Sequence, residues 1–297
     1  MIECYCKELT ATIVADSLAC SRRLKCFHFY ILFLIFMQKT SVHKLNKSEI
    51  QKKILTLRDA GQIYDLADST LNHDFYTSLD RFADIALKIR HCQKVLDVGS
   101  GTGILVGILA ALGHEVHALD FFDRSEQLIY IKARSKFSVC NVEADPIPYS
   151  DDEFDAVCCC QTLEHFTYAH LPVVLEIKRV LKVGGIFEVD VPNIASFRNR
   201  SRVLRGKSVL WDYDKYYLNS VPSKYKGREY FPNRHNHEFT KDELTSLFLN
   251  AGFKNISVQF LRDQTAIEYK GTLSWCGSWL RDCIPGTRKS LLGIAVK

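Results

Sequence analysis

The sequence lacks an uncharged run long enough to cross a membrane. Residues 26–37, which follow a basic stretch, are apolar over only twelve positions, and a spanning helix needs roughly 18 to 20. Residues 38–40 are polar, so no small-residue cleavage site follows as in a secretory signal. Three interpretations stay open. Met37 is the true start and residues 1–36 are upstream sequence, or residues 26–37 are an N-terminal membrane anchor, or they form a structural helix.

Cysteine is abundant, but its spacing lacks the pattern of a metal site or a disulfide framework. The chain has eleven cysteines. Cys4 and Cys6 are too close for a C-x-x-C pair, and residues 158–160 are three consecutive cysteines in an apolar run, as expected for a buried strand. The absence of a disulfide framework favours a reducing compartment. We therefore expect a cytoplasmic protein, with residues 26–37 as its route to any membrane association.

The composition lacks any strong bias, and the sequence has no internal repeat or low-complexity tract. It has 297 residues, of which 47% are hydrophobic and 25% charged, with a formal net charge of +5. These values indicate an ordinary globular chain and exclude a disordered or fibrous one. We expect an N-terminal extension over residues 1–45 and one domain over residues 46–297.

Positive charge is concentrated in one stretch, residues 194–236, called the basic segment below. It contains ten basic and three acidic residues, so it carries more than the net charge of the whole chain. Aromatic residues are interleaved with the basic ones. A solvated basic surface is one interpretation, and a surface that recognises a ligand is the other.

The most informative stretch is residues 94–103, which read K-V-L-D-V-G-S-G-T-G. An apolar run typical of a strand buried on both faces is followed by three glycines at alternating positions and then by an apolar run of helical length, residues 104–112. Strand, glycine loop and helix bring backbone N–H groups and a helix N-terminus close to a ligand.

Strands and helices alternate along the rest of the chain, which predicts a doubly wound α/β fold with a mostly parallel sheet. Ser48 with Gln51 suggests a capping box for an N-terminal helix, and Thr240 suggests the cap of a late one. Beyond the glycine loop, strands are predicted near residues 116–119, 137–140, 155–160, 186–191, 256–261 and 291–296. The last two have no helical pattern between them, so an antiparallel final pair is possible.

Three polar residues narrow the choice of ligand for the glycine loop. Asp97 lies within the first strand, where a carboxylate could bind an ammonium group or order the loop. Asp120 ends the second strand, where an acid holds both hydroxyls of a ribose. Asn141 follows the third strand, where an amide can reach an adenine edge. An amino acid, a ribose and an adenine in this order describe S-adenosylmethionine.

These motifs resemble the class I S-adenosylmethionine-dependent methyltransferases, most closely the broad subfamily that includes ubiquinone-biosynthesis, small-molecule and sugar methyltransferases. The resemblance covers about residues 63–253 and is carried by V-L-D-V-G-S-G-T-G, F-D-A-V-C-C-C-Q-T-L-E-H-F and L-E-I-K-R-V-L-K-V-G-G. It implies a seven-stranded sheet with an antiparallel last strand, N-terminal helices and an inserted acceptor lid at the basic segment. It also implies S-adenosylmethionine as the cofactor.

The resemblance assigns cofactor contacts to particular positions. The loop on the methionine side would be formed by four residues: Asp97, Gly99, Ser100 and Gly101. Asp120 with Phe121 would contact ribose and adenine, Asn141 with Val142 would contact adenine, and Gln161 would face the methionine carboxylate and the reacting methyl group. Tyr64 resembles an aromatic residue that folds over the cofactor, and its alternative interpretation is a packing tyrosine.

Histidines are the candidate bases for a reaction in which the acceptor must lose a proton. His165 lies beyond the fourth strand and could serve, or Glu164-His165 could simply order the start of a helix. His237, or its neighbour His235, is the runner-up, against the alternative of a capping or exposed histidine. Some relatives bind a divalent metal through E-x-x-E-H. Here the first position is Gln161, so we predict no metal.

The sequence therefore predicts an enzyme that moves a methyl group by in-line displacement. The expected acceptor is a small-molecule, lipid-linked or glycan compound methylated at oxygen. Arginines and aromatic residues of the basic segment would recognise an anionic or glycosidic group. RNA or protein is the alternative acceptor, ranked lower because no RNA-binding module is present. A cofactor-binding protein without turnover is the third hypothesis.

Overall fold

The structure is a computed structural model that describes residues 46–210, 212–261 and 283–297. The predictions for the extension, including those for Met37 and residues 26–37, lie outside these described residues. No helix of the described ranges combines the length and the apolar character needed to cross a membrane.

A seven-stranded sheet forms the centre of the fold. Its strands are β1 Lys94–Val98, β2 Glu115–Asp120, β3 Lys136–Val139, β4 Phe154–Cys160, β5 Leu181–Pro192, β8 Lys254–Leu261 and β9 Ser290–Val296. They lie in the order β3-β2-β1-β4-β5-β9-β8. Strands β1 to β5 pair in parallel, and β9 is antiparallel to both of its neighbours. The predicted seven-stranded α/β fold is thereby confirmed.

Helices cover both faces of the sheet, because alternate residues of each central strand are buried on opposite sides. In β4, Val157 and Cys159 belong to one hydrophobic core, and Ala156 and Cys158 belong to the other. The cysteines of β4 are therefore packing residues with free thiols, as expected. The helices are α1 Lys47–Asp59, α2 Ser69–Ile89, α3 Ile104–Leu112, α4 Leu128–Ala133, α5 His170–Val180, α6 Phe197–Leu204 and α7 Lys241–Asn250.

The prediction of a Ser48–Gln51 capping box is wrong. Helix α1 is capped two residues earlier, where the Asn46 side chain accepts from the Glu49 N–H at 3.0 Å and the Glu49 carboxylate accepts from the Asn46 N–H at 2.8 Å. Both pairs have the same three-residue spacing, and a carboxylate is a stronger acceptor than an amide. The cap of α7 by Thr240 is confirmed.

The basic segment has its own local structure between β5 and α7. It contains α6, a π-helical turn at Asp214–Leu218 and a hairpin of β6 Ser223–Tyr225 with β7 Arg228–Tyr230. The hairpin is tied to the loop after β3, because Tyr225 and Lys226 both bond the carboxylate of Asp145. The segment is therefore anchored at the carboxyl edge of the sheet.

The cap of α1 can be tested by a matched pair of substitutions. Asn46→Ala should lower the free energy of unfolding by about 1 kcal/mol, because it leaves an N-terminal N–H of the helix without its acceptor. Ser48→Ala should change it by less than about 0.5 kcal/mol. Urea unfolding measures both, and an equal loss in the two variants would contradict the assignment.

Candidate cofactor and catalytic site

A cavity of about 250 Å³ lies at the carboxyl ends of β1 to β4. The chain winds in opposite directions from β1 and β4, so this is the topological switch point at which such sheets bind ligands. Seven of the ten predicted cofactor residues line the cavity: Gly99, Gly101, Asp120, Phe121, Asn141, Val142 and Gln161. The predicted base His165 lines it too.

The three glycines of the loop have different structural roles. All three have positive φ, at +73° for Gly99, +54° for Gly101 and +78° for Gly103. A Cβ on Gly99 would lie 2.3 Å from the Thr162 side chain, and one on Gly103 would lie 2.8 Å from Ile129. A Cβ on Gly101 would meet nothing closer than 3.8 Å. Gly101 therefore leaves open space at the cavity wall, which a ligand can fill.

Asp120 holds the glycine loop in place. Its Oδ2 atom accepts from the Gly101 N–H and its Oδ1 atom from the Phe122 N–H, both at 2.9 Å. Arg124 lies 3.8 Å from the same carboxylate. Each carboxylate oxygen has a further lone pair, so Asp120 can still accept from the hydroxyls of a ribose.

Asp97 is a buried carboxylate in β1 whose two oxygens have no hydrogen-bond partner. Burial, together with repulsion from the carboxylates of Asp120 and Asp190, raises the pKa of Asp97 to about 7. An unpaired buried carboxylate is costly, and a cationic ligand group would offset that cost. Asp97 is therefore suited to an ammonium group.

The residues after β3 offer one free donor to the cavity. The Asn141 side-chain oxygen accepts from the Glu143 N–H at 3.1 Å, which fixes the orientation of the amide. Its Nδ2 atom is buried and has no hydrogen-bond partner. An N–H donor of this kind can bind a ring nitrogen of adenine, as the prediction for Asn141 requires.

Gln161 is held by contacts that the sequence pattern did not indicate. Its backbone φ is +50°, and its N–H donates to the Asp190 carbonyl at 2.8 Å. Its Nε2 atom donates to the Asp190 carboxylate at 2.9 Å. Arg81 of α2 pairs with the same carboxylate at 3.1 Å. The only sequence signal for Asp190 was its place as an acid in the mainly apolar second half of β5, which also contains Glu188.

His165 ends a short 3₁₀ helix, Leu163–His165, beside the cavity. Its Nδ1 atom lies 3.0 Å from the carbonyl of Arg234. Since a carbonyl can only accept, Nδ1 carries the proton and the lone pair of the neutral ring is on Nε2. Burial, with a smaller contribution from neighbouring His235, lowers the pKa of His165 to about 4. The ring is therefore neutral at pH 7.

Glu164, next to it, is fully buried, and neither of its carboxylate oxygens has a hydrogen-bond partner. Burial raises the pKa of Glu164 well above its usual range. Ligand atoms of Glu164, His165 and His235 lie within 4.8 Å of one another. One carboxylate and two imidazoles could hold a divalent ion such as Zn²⁺, so the predicted absence of a metal stays a prediction.

Four predicted site residues are not in the wall of the cavity. Tyr64 is buried in the helical layer, where its ring packs on Phe75 at 5.6 Å and its hydroxyl lies 3.1 Å from Asn72. The structure thus favours the packing interpretation. The side chain of His237 is 43% exposed and lies beside Glu243. Asp97 of β1 and Ser100 of the glycine loop are also absent from the wall, and both are buried.

Other wall residues were not anticipated. Among the described residues of the basic segment, only Pro232 and Asn233 are in the wall of this cavity, and none of its ten basic residues is. The arginines predicted to hold an anionic acceptor are therefore elsewhere on the surface. The remaining unanticipated wall residues are Val98, Leu119, Phe122, Arg124, Cys140, Glu143, Thr162 and Phe166.

Comparison with known proteins agrees with this geometry. A family described as "Methyltransferase domain" matches residues 69–258, which is more than half of the chain. The chain therefore belongs to this family and is an S-adenosylmethionine-dependent methyltransferase.

Two similar curated proteins are quinone-biosynthesis methyltransferases. The demethylmenaquinone methyltransferase of Staphylococcus carnosus is 26% identical over 238 residues, covering 76% of this chain and 95% of that protein. The ubiquinone/menaquinone biosynthesis C-methyltransferase UbiE of Geotalea daltonii is 25% identical and covers 70% and 90%. A solved S-adenosylmethionine-dependent methyltransferase from Archaeoglobus fulgidus is 12% identical, with a TM-score of 0.48, and covers 77% of this chain and all of that one.

The open space at Gly101 yields a test of cofactor placement. Gly101→Ala should weaken S-adenosylmethionine binding by about tenfold or more, because the methyl group would occupy the ligand's space at the wall. Gly61→Ala is the matched control, since Gly61 also has positive φ (+67°) and a Cβ added there would meet no atom within 4 Å. Calorimetric titration measures binding, and an equal effect of the two substitutions would contradict the placement.

The raised pKa of Asp97 predicts a pH-dependent cofactor affinity. An ammonium group binds the ionised carboxylate, so affinity is complete above the pKa of about 7 and declines as the pH falls through it. The dissociation constant should rise roughly eightfold from pH 7.5 to pH 6. Asp97→Asn should bind weakly without this dependence and should keep the Tm of the ligand-free protein, since it removes an unpaired buried charge. The same pH dependence in the wild type and in Asp97→Asn would refute the role of Asp97 as the partner of the ammonium group.

Proposed function

We propose that this methyltransferase methylates a small acceptor that carries a hydroxylated ring, of which a quinol is an example. The observation that carries the proposal is the position of neutral His165 in the same cavity wall as Gln161 and the glycine loop. The names of the relatives, which act in quinone biosynthesis, support the same class of acceptor.

The cofactor would be bound by residues of four strand ends. We infer that Asp97 pairs with the ammonium group and that the Gly99–Gly101 turn lies against the methionine portion. Asp120 would accept from the ribose hydroxyls, and Asn141 would donate to the adenine. Gln161, fixed by Asp190, would face the methionine carboxylate. When bound, S-adenosylmethionine supplies an electrophilic methyl group on a sulfonium.

His165 would take the proton of the acceptor. The acceptor hydroxyl would give its proton to Nε2 of His165. The resulting oxyanion could then accept the methyl group that bound S-adenosylmethionine would supply, with S-adenosylhomocysteine as the other product. The anion that develops beside the ring favours the charged imidazolium, which compensates for the low pKa of His165 before the acceptor binds. The carbonyl of Arg234 orients the ring through Nδ1.

The same anion offers two kinds of atom for methylation, oxygen and carbon. A ring hydroxyl that has lost its proton carries negative charge on oxygen and on the adjacent ring carbons. We expect methylation at oxygen, as predicted from the sequence. Transfer to carbon is the competing outcome, which the printed name of the Geotalea daltonii relative suggests.

The experiment is labelled methyl transfer from S-adenosylmethionine to matched acceptor pools. A short-chain hydroquinone, its doubly O-methylated analogue, a sugar, a lipid extract and an RNA pool are supplied separately. Label in the hydroquinone but not in the O-methylated analogue supports the proposal, and NMR of the product identifies the atom. Label that enters only the sugar or the RNA refutes it, as does cofactor binding without turnover in every pool.

His165 as proton acceptor predicts a selective loss of turnover. His165→Ala should lower kcat by about 100-fold or more with unchanged cofactor affinity. His237→Ala should retain near wild-type turnover, because that side chain is not in the cavity wall. With the cofactor saturating, wild-type kcat/KM should show no histidine limb between pH 6 and pH 8, since the pKa of His165 is about 4. Full activity of His165→Ala would refute the role.

The predicted absence of a metal is tested by chelation. Activity should be unchanged after dialysis against EDTA, because Gln161 stands at the first position of the E-x-x-E-H pattern, and an amide is a poorer metal ligand than a carboxylate. Loss of activity that Mg²⁺ or Zn²⁺ restores would overturn the prediction. Retention of that metal response in Glu164→Gln would place the ion elsewhere.

A further inference from the structure

Helix α6 presents two apolar side chains to solvent, Phe197 and Leu204, which are called the apolar stripe below. Phe197 and Leu204 are seven residues apart, hence on one face of the helix, and they are 49% and 87% exposed. Asn199 lies on roughly the opposite face. It is buried and donates to Glu238 at 2.8 Å, which fixes that face against the protein. The stripe therefore points away from the domain.

Positive charge surrounds this stripe without internal compensation. Residues 197–207 contain five basic residues and no acid. Within the part of the chain that the structure describes, none of the five takes part in a salt bridge: Arg198, Arg200, Arg202, Arg205 and Lys207. Arginines that flank an exposed apolar stripe are typical of a helix that lies in a lipid interface.

Exposed apolar side chains continue beyond α6. Val203, near the end of α6, is exposed, and so are Tyr213, Leu218 and Val221 beyond the helix. A cleft of about 350 Å³ lies next to them and is lined by Arg198, Arg202, Ser208, Leu210, Asp212, Tyr213 and Tyr216. Two arginines in a polar cleft beside an apolar surface can bind a phosphate group.

We propose that this face, formed by residues 197–210 and 212–221, docks on an anionic lipid bilayer. Phe197 and Leu204 enter the boundary between headgroups and acyl chains, and the flanking arginines bind lipid phosphates. A bilayer accommodates both the aliphatic and the cationic side chains. A nucleic acid would leave Leu204 and Val203 unused, because a sugar–phosphate backbone offers them no apolar partner.

Docking would bring the catalytic cavity close to the lipid. The same basic segment supplies Pro232 and Asn233 to the cavity wall. An acceptor of low water solubility could then reach the site from the bilayer. This consequence rests on the proposed function, whereas the docking itself does not.

The test is sedimentation of the full chain with vesicles of phosphatidylcholine alone or with about 30% phosphatidylglycerol. We expect binding to the anionic vesicles that weakens with salt. Leu204→Asp should weaken it about tenfold, and Arg200→Glu about fivefold or more. Leu249→Asp is the matched control, because Leu249 is 62% exposed on α7, outside this face. Unchanged cofactor affinity shows that each variant is folded.

Four results would overturn the proposal. The first is a failure of the full chain to bind anionic vesicles. The second is a Leu204→Asp variant that binds them as well as the wild type, which would assign binding to another part of the chain. The third is an RNA oligonucleotide that binds this face while vesicles do not. The fourth is self-association that Leu204→Asp abolishes without any vesicle binding. The assay needs no acceptor. The docking proposal can therefore fail while the proposed methyl transfer stands, and the methyl transfer can fail while the docking stands.

Discussion

The turn after β1 depends on the end of β2. The carbonyl of Leu119 accepts from two consecutive N–H groups of the turn, those of Gly99 at 2.7 Å and Ser100 at 3.1 Å. The Asp120 carboxylate accepts from the next one, Gly101. Three successive backbone donors are thereby satisfied by the neighbouring strand, which keeps the loop open instead of folding it over the cavity. Asp120 therefore positions the glycine loop even before any cofactor is bound.

This arrangement gathers negative charge at one edge of the sheet. Asp97, Glu164, Glu188 and Asp190 are almost completely buried, and several of their oxygens lack partners. Burial and mutual repulsion raise the pKa values of Asp97, Glu164 and Glu188. The raised pKa values mean that ionisation of these groups is unfavourable in the ligand-free protein, and a cation bound nearby would favour their charged forms. S-adenosylmethionine carries an ammonium and a sulfonium, so its binding would offset part of this cost.

The sequence was informative wherever function follows local pattern. The strand–glycine–helix unit, Asp120 and Asn141 occupy fixed offsets from apolar runs, so seven of ten predicted cofactor residues lie in the cavity wall. Contacts between distant parts of the chain were not predictable in this way. Arg81 meets Asp190 across 109 residues, and the Arg234 carbonyl meets His165 across 69. No periodicity or spacing encodes these encounters.

Local ambiguity explains the wrong helix cap and the two interpretations of Tyr64. Ser48–Gln51 and Asn46–Glu49 have the same spacing, and only the observed hydrogen bonds distinguish them. Tyr64 satisfies both a packing pattern and the resemblance to a cofactor-covering aromatic residue. The structure places it in a closed hydrogen-bond group with Arg58 and Asn72. Such a group would have to open before the ring could cover a ligand, which would cost buried hydrogen bonds.

The location of the charge in the basic segment distinguishes two roles that the sequence left open: recognition of the acceptor and a role at the outer surface. Arginines that recognised an anionic acceptor would have to line the cavity, but only uncharged Pro232 and Asn233 of this segment do so. Its arginines lie outside, many of them around the apolar stripe of α6. Charge that is excluded from the reaction cavity cannot select the acceptor by direct contact. It can act only through what the outer surface binds, so we expect direct contacts with the acceptor to come from other wall residues, such as His165 and Phe166.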